Sequence, residues 1–126
     1  MLLDTHIVLA VLGQTELSLK DNVADLLRQQ SDVFVSVASI WEIAIKHRSG
    51  KLALSIDVNN LSGVLKDIDI TILDIVSAHT TAEIGQEPVT KDPFDRLLLG
   101  VCASERKRLL TIDKALVDHP LAWRWD

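Results

Sequence analysis

The sequence predicts an α/β fold in three layers, with a mainly parallel central sheet and helices on both of its faces. Short apolar runs that are rich in β-branched residues and lack a helical period indicate buried strands. Segments with helical spacing and capping signals separate these runs. Strands that are apolar throughout and alternate with helices are typical of a parallel sheet that is covered on both faces.

The predicted strands cover residues 1–3, 33–37, 70–75 and 109–112. Predicted helices cover roughly residues 19–30, 37 or 39 to 49, 57–66, 77–86 and 94–107. Ser18, with Asp21 three residues later, resembles a capping box, and Gly50 is typical of a helix C-terminus. The clearest start signal is Asp92-Pro93, an aspartate cap followed by proline at the first helical position.

Composition predicts one domain over residues 1–126, because a chain of this length that is 48% apolar can bury a single core without staples. Cys102 is the only cysteine, which argues against a disulfide framework and a structural zinc site. Thirteen basic and eighteen acidic side chains give a net charge of −5, so any contact with nucleic acid must be local. The first residues lack a basic signal region and a spanning segment, so we expect a cytoplasmic protein with no membrane contact.

Two aspartates follow directly on predicted strands, Asp4 after the first and Asp113 after the last. Ligands of parallel sheets bind beyond the carboxyl ends of the strands, where both carboxylates should emerge. Either aspartate alone could simply form a turn or cap a helix. Their joint position favours a functional site without deciding the matter.

Asp95 and Glu42 are further candidates. Asp95, Leu99 and Cys102 share one helix face, so this carboxylate points towards the core, although an acidic residue also suits a helix N-terminus. Glu42 fits a capping box that starts at Ser39 and an ion pair with Lys46, and its spacing alone predicts a surface position. Its helix, however, begins at the carboxyl end of the second strand.

Four carboxylates in one cleft would repel one another, each close pair by about 4 kcal/mol at an effective dielectric constant of about 20. They therefore require a cation. Ligands that are all oxygen, with no histidine or cysteine, suit Mg²⁺ or Mn²⁺, and two such ions can clamp the oxygens of a phosphoryl displacement. Thr111 could hold a water on the metal, or could be an ordinary strand threonine.

Four segments of the chain together resemble PIN-domain ribonucleases, particularly the VapC-type toxins of bacterial toxin–antitoxin pairs. These segments are Met-Leu-Leu-Asp4-Thr-His, Ser39-Ile-Trp-Glu42-Ile-Ala-Ile-Lys46, Asp92-Pro-Phe-Asp95-Arg-Leu-Leu-Leu and Leu110-Thr-Ile-Asp113. The resemblance implies a three-layer PIN-like fold and catalysis by Mg²⁺ or Mn²⁺ held at Asp4, Glu42, Asp95 and Asp113. Relatives often carry a histidine shortly before the third segment, whereas this chain has Thr90-Lys91.

The same resemblance implies an RNA substrate, a small cognate antitoxin protein and a homodimer. Lys46, Arg48 and Arg96 are candidate phosphate contacts, although cations at helix ends are also common on solvated surfaces. Asp92 either orients Arg96 or a water on the metal, or caps its helix, and we favour the cap.

Two other functional interpretations of the sequence stay open. A phosphatase or receiver domain also places aspartates beside Mg²⁺, but His6 occupies the position where the phosphatase requires a second aspartate, and Asp74 and Lys91 fit a receiver poorly. The other reading is a non-catalytic module whose acidic cleft binds a partner protein.

Overall fold

The computed structural model describes residues 1–14 and 21–124. Within them the chain forms the strands β1 (Leu2–Leu3), β2 (Phe34–Ser36), β3 (Thr71–Leu73) and β4 (Leu109–Leu110). The helices of the same residues are α1 (Thr5–Val11), α2 (Asp21–Gln29), α3 (Val37–Arg48), α4 (Leu61–Asp67), α5 (Ser77–Thr81) and α6 (Pro93–Glu105), with a 3₁₀ turn at Val58–Asn60. Among these helices, none is long and apolar enough to cross a membrane.

The strands form one sheet in the order β3-β2-β1-β4, and every pairing is parallel. Successive residues of a strand face opposite sides, so β1 and β4 each supply residues to two cores. Leu3 and Leu110 pack on one side with residues of α1, α2 and α4, while Leu2 and Leu109 pack on the other with residues of α6. The predicted parallel α/β arrangement is confirmed.

Apart from shifts of one or two residues at element ends, the observed elements differ from the predicted ones in three places. The apolar segment after Asp4 is α1, a helix that was not predicted, and it buries Ile7 and Val8 against the sheet. The predicted helix 57–66 is divided into a 3₁₀ turn and α4. Helix α5 ends at Thr81 instead of residue 86, because Ala82 is extended.

The caps of two helices bear directly on the site. Asp92 caps α6 as expected, accepting a 2.8 Å hydrogen bond from the Phe94 amide. Helix α3 is capped by Ser36, whose hydroxyl accepts from the Ala38 amide, so the prediction of a capping box at Ser39 is wrong. Ser18 and its predicted capping box lie outside the described residues.

Candidate active site

Asp4 and Thr111 meet at the carboxyl edge of the sheet. Leu3 pairs with Leu110, so the next residue of each strand emerges at the same level. The Asp4 amide donates to the Leu110 carbonyl at 3.0 Å, and the Thr111 hydroxyl donates to Asp4 Oδ2 at 2.6 Å. Sheet register therefore brings together two side chains from opposite ends of the sequence.

Asp4 is a buried carboxylate with only 3% of its surface exposed. Burial raises its pKa, and the nearby charge of Glu42 acts in the same direction. The Thr111 hydrogen bond and the charge of His6 lower that pKa but do not outweigh burial. An ionised group in such a position is stabilised by any cation that can reach it.

Asp113 lies two residues beyond Thr111 and is tied to it. The Asp113 amide donates to the Thr111 hydroxyl oxygen at 3.1 Å, and Asp113 Oδ1 accepts from the Ala115 amide at 2.9 Å. The Asp113 side chain thus forms a turn, which is one of the two roles that the sequence allowed for it. Its side chain is half-buried, so turn formation leaves the carboxylate partly accessible.

Asp95 lies at the start of α6, where the charges of other site carboxylates act on it. It occupies the first turn of α6, where its Oδ2 accepts from the Thr90 hydroxyl at 3.0 Å. Burial and the charge of Asp92 are the main causes that raise its pKa to about 6, and the charges of Asp4 and Asp113 add to the effect. Asp4 and Asp113, which follow two strands, and Asp95 at the start of α6 therefore contribute to one region of negative potential.

Glu42 is 5% exposed, so the surface position predicted from its spacing is wrong. Spacing along α3 could not reveal α1, which packs against α3 and presents Thr5 to this carboxylate. The Thr5 hydroxyl donates to Glu42 Oε1 at 2.7 Å, and Lys46 Nζ lies 2.7 Å from Glu42 Oε2. The predicted pair of Glu42 and Lys46 is confirmed.

Thr5 is a site residue that the sequence analysis missed. It is buried, and its hydroxyl oxygen also lies 3.1 Å from the Ser39 hydroxyl. Its position immediately after Asp4, at the end of a strand, was the available signal. Recognising it required knowing that α1 and α3 are in contact.

Two of the candidate basic residues, Lys46 and Arg48, lie in the last turn of α3 but in different surroundings. Lys46 faces the acidic side chains: its pKa is raised chiefly by the hydrogen bond to Glu42, and the charges of Asp92 and Asp95 also raise it. Arg48 is exposed in the last turn of the same helix.

Arg96 is held by the segment that precedes α6. Its Nη2 donates to the Ala82 carbonyl at 2.7 Å, and its Nε lies 3.0 Å from Glu87 Oε2. Because Asp92 caps the helix, Arg96 finds its carboxylate partner in Glu87.

Each of the four carboxylates accepts at least one hydrogen bond from the chain. The donors are Thr111 for Asp4, Thr5 and Lys46 for Glu42, Thr90 for Asp95 and Ala115 for Asp113. Across residues 1–14 and 21–124, no three acidic, histidine or cysteine side chains are already grouped closely enough to hold a metal ion. The donor set is nevertheless all oxygen and strongly negative, which fits a hard dication such as Mg²⁺ or Mn²⁺.

Comparison with known proteins gives the family. A search of curated proteins finds no match to this chain. The model of the PIN domain family matches residues 1–120, which is nearly the whole sequence. The chain therefore belongs to the PIN domain family, whose members are generally metal-dependent nucleases.

Proposed function

We propose that this protein is an endoribonuclease that hydrolyses RNA phosphodiester bonds with Mg²⁺ or Mn²⁺. The observation that carries the proposal is the strand register that brings Asp4 beside Thr111, whose hydroxyl donates to Asp4 Oδ2 and accepts from the Asp113 amide. The raised pKa of Asp95, to which Asp4 and Asp113 contribute, is consistent with it. Carboxylates that share one negative field at a sheet edge are stabilised by a dication. The same dication can contact phosphate oxygens, which an acidic cleft would otherwise repel.

We assign metal binding to Asp4, Asp95 and Asp113, with Glu42 as a further ligand or as the base that orients the attacking water. A bound Mg²⁺ or Mn²⁺ would supply an activated water and neutralise charge on the phosphate. Thr111 keeps Asp4 oriented through its 2.6 Å hydrogen bond. Lys46 neutralises Glu42 while remaining partly exposed.

Lys46 and Arg48 are the residues we assign to the RNA backbone. Lys46 lies within the field of Glu42, Asp92 and Asp95, and Arg48 follows it on the exposed part of α3. Arg96 is a weaker candidate, because its guanidinium already contacts Ala82 and Glu87. Asp92 serves as a helix cap in this assignment.

Incubation of the purified protein with end-labelled single-stranded RNA tests the proposal. We expect cleavage with Mg²⁺ or Mn²⁺, none in EDTA, and products that carry a 5′-phosphate and a 3′-hydroxyl. Asp4→Asn and Asp113→Asn should abolish cleavage while keeping the circular dichroism spectrum. Asp74→Asn is the matched control, since Asp74 is an exposed aspartate that follows the outer strand β3. RNA left intact by the unmodified protein, or cleaved normally by Asp4→Asn and Asp113→Asn, would contradict the proposal.

The biological role that we propose is that of a VapC-type toxin: a single cytoplasmic domain over residues 1–126 that forms a homodimer and is inhibited by a small antitoxin. This role rests on the resemblance of the four sequence segments. It predicts growth arrest on expression, reversed by Asp4→Asn, and a short neighbouring gene for a DNA-binding antitoxin. Normal growth of cells that express an active nuclease would count against the toxin role.

A further inference from the structure

Two aromatic side chains from different helices contact each other at the surface. Trp41 of α3 and Phe94 of α6 pack edge to face, with ring centroids 5.4 Å apart and an interplanar angle of 71°. The contact covers only part of the indole, because 54% of Trp41 remains exposed. Ile45, one turn further along α3, is also an exposed apolar residue. A contiguous apolar surface of this kind is typical of a binding site.

This aromatic pair lies on the two helices that also carry Glu42 and Asp95. Trp41 immediately precedes Glu42, Phe94 immediately precedes Asp95, and the Phe94 amide donates to the Asp92 side chain. The two helices that supply Glu42 and Asp95 are therefore the ones that carry the rings. A polymer whose reacting group lies at the carboxylates can therefore reach these two helices with its neighbouring units.

The charges along α3 indicate what kind of polymer fits this surface. Trp41, Ile45 and Arg48 have the spacing i, i+4, i+7 and share one face of the helix. An aromatic platform followed by a cation is the combination that single-stranded nucleic acids require, with a base on the ring and a phosphate on the cation. A purely apolar partner would gain nothing from Arg48.

We propose that Trp41, supported by Phe94, stacks on an unpaired base of the RNA beside the phosphodiester that is cleaved. This proposal rests on the proposed ribonuclease function and identifies a base-binding subsite for it. Every base has a π-face, so the subsite would select single-stranded over paired RNA without selecting sequence. Stacking of one base on an aromatic side chain changes affinity by roughly 5- to 150-fold.

The test compares two RNAs of equal length and charge in the cleavage-deficient Asp4→Asn background. One is a fluorescein-labelled single-stranded 12-mer of mixed sequence, and the other is its abasic counterpart, which keeps the sugars and phosphates. Fluorescence anisotropy with Mg²⁺ gives Kd for protein with Trp41 intact and for Trp41→Ala, Trp41→Phe and Ile68→Ala. Ile68 is the control because it is exposed and apolar but precedes β3, at the opposite edge of the sheet.

We expect Trp41→Ala to weaken binding of the 12-mer at least 5-fold and to leave binding of the abasic RNA unchanged. Trp41→Phe should recover most of the affinity, and Ile68→Ala should match the parent protein. Equal losses on both RNAs, or no loss on either, would overturn the base-stacking subsite. A change in mass by light scattering on Trp41→Ala would also overturn it, since the surface would then join copies of this chain.

Failure of this subsite can be separated from failure of the ribonuclease proposal. Cleavage of RNA by the unmodified protein, together with a Trp41→Ala variant that binds the 12-mer normally, removes the subsite alone. A protein that neither cleaves nor binds RNA removes both.

Discussion

Thr111 donates a 2.6 Å hydrogen bond to Asp4 Oδ2, joining side chains that lie 107 positions apart in the sequence. Both residues are buried, so this bond replaces water for a carboxylate that must remain available to a cation. The same hydroxyl oxygen accepts from the Asp113 amide. One threonine therefore links two of the proposed metal ligands and fixes their relative position.

Thr111→Val tests this link. Valine keeps the shape of the side chain but leaves a buried Asp4 oxygen without its donor, which should lower the free energy of unfolding by about 1–3 kcal/mol. The pKa of Asp4 should rise further, because the Thr111 bond lowers it. Urea unfolding in EDTA at pH 8 measures the loss, and Mg²⁺ titration of RNA cleavage should show a higher metal requirement.

Thr111→Ser is the control for that experiment. Serine retains the hydroxyl and removes one methyl group, so its stability should fall by only about 1 kcal/mol. It should also keep the normal metal requirement. Equal stability and equal metal dependence of the valine and serine variants would show that the hydroxyl has no role.

Asp95 makes stability depend on pH in the absence of metal. Its pKa is raised from 3.8 to about 6, so between these values the native state binds more protons than the unfolded state. Stability therefore falls as pH rises through this window, and the loss is complete above it. Asp95→Asn lacks this contribution. In EDTA, the Tm of Asp95→Asn minus the Tm of the unmodified protein should therefore increase between pH 4 and pH 7.

Adding Mg²⁺ at pH 7 should make the unmodified protein more stable than Asp95→Asn. A ligand that binds only the native state stabilises it by mass action, and Asp95→Asn removes one proposed ligand. We expect millimolar Mg²⁺ at pH 7 to raise the Tm of the unmodified protein and to raise that of Asp95→Asn much less. A Tm difference that does not vary with pH in EDTA would contradict the assigned pKa shift.

Sequence patterns predicted the parallel sheet because short apolar runs without a helical period alternate with helical segments, and the carboxyl ends of parallel strands meet at one edge. That rule also placed Asp4 and Asp113 at one edge. Sequence patterns did not predict the features that depend on contacts between secondary-structure elements. Glu42 lies on the polar side of α3 by spacing, yet Thr5 of α1 and Lys46 enclose it. Helix α1 itself was missed because Ile7 and its apolar neighbours have no clear helical period.

The contact between Trp41 and Phe94 could not be predicted from the sequence either. Composition gives few aromatic residues, and nothing in the sequence places Trp41 beside Phe94, since they lie 53 positions apart on different helices. Packing of α3 against α6 creates the pair.

Lys46 stabilises the buried Glu42 carboxylate, so Lys46→Met should destabilise the protein. The pair is buried at Glu42 but partly exposed at Lys46, which places the expected loss at about 1–2 kcal/mol, between the values for exposed and buried pairs. Thermal or urea unfolding at pH 8 measures it. The double variant Lys46→Met with Glu42→Gln should regain most of the stability, because it removes the unpaired charge. A double variant no more stable than Lys46→Met would show that charge pairing contributes little.

Gly100 permits the close packing of α6 on α5. A β-carbon at Gly100 would overlap the carbonyl oxygen of His79, a backbone atom that cannot move without shifting α5. Gly100→Ala should therefore lower the free energy of unfolding by about 1–3 kcal/mol despite the better helix propensity of alanine.

Gly63 in α4 offers the matched comparison. Nothing lies within 4 Å of a β-carbon built there, so Gly63→Ala should raise stability by about 0.4–1 kcal/mol through the lower entropy of the unfolded chain. Urea unfolding of both variants under one condition decides the question. We expect opposite changes in the free energy of unfolding, because the added methyl group overlaps backbone at Gly100 and has open space at Gly63. Stabilisation by both substitutions would mean that α5 and α6 can separate at little cost.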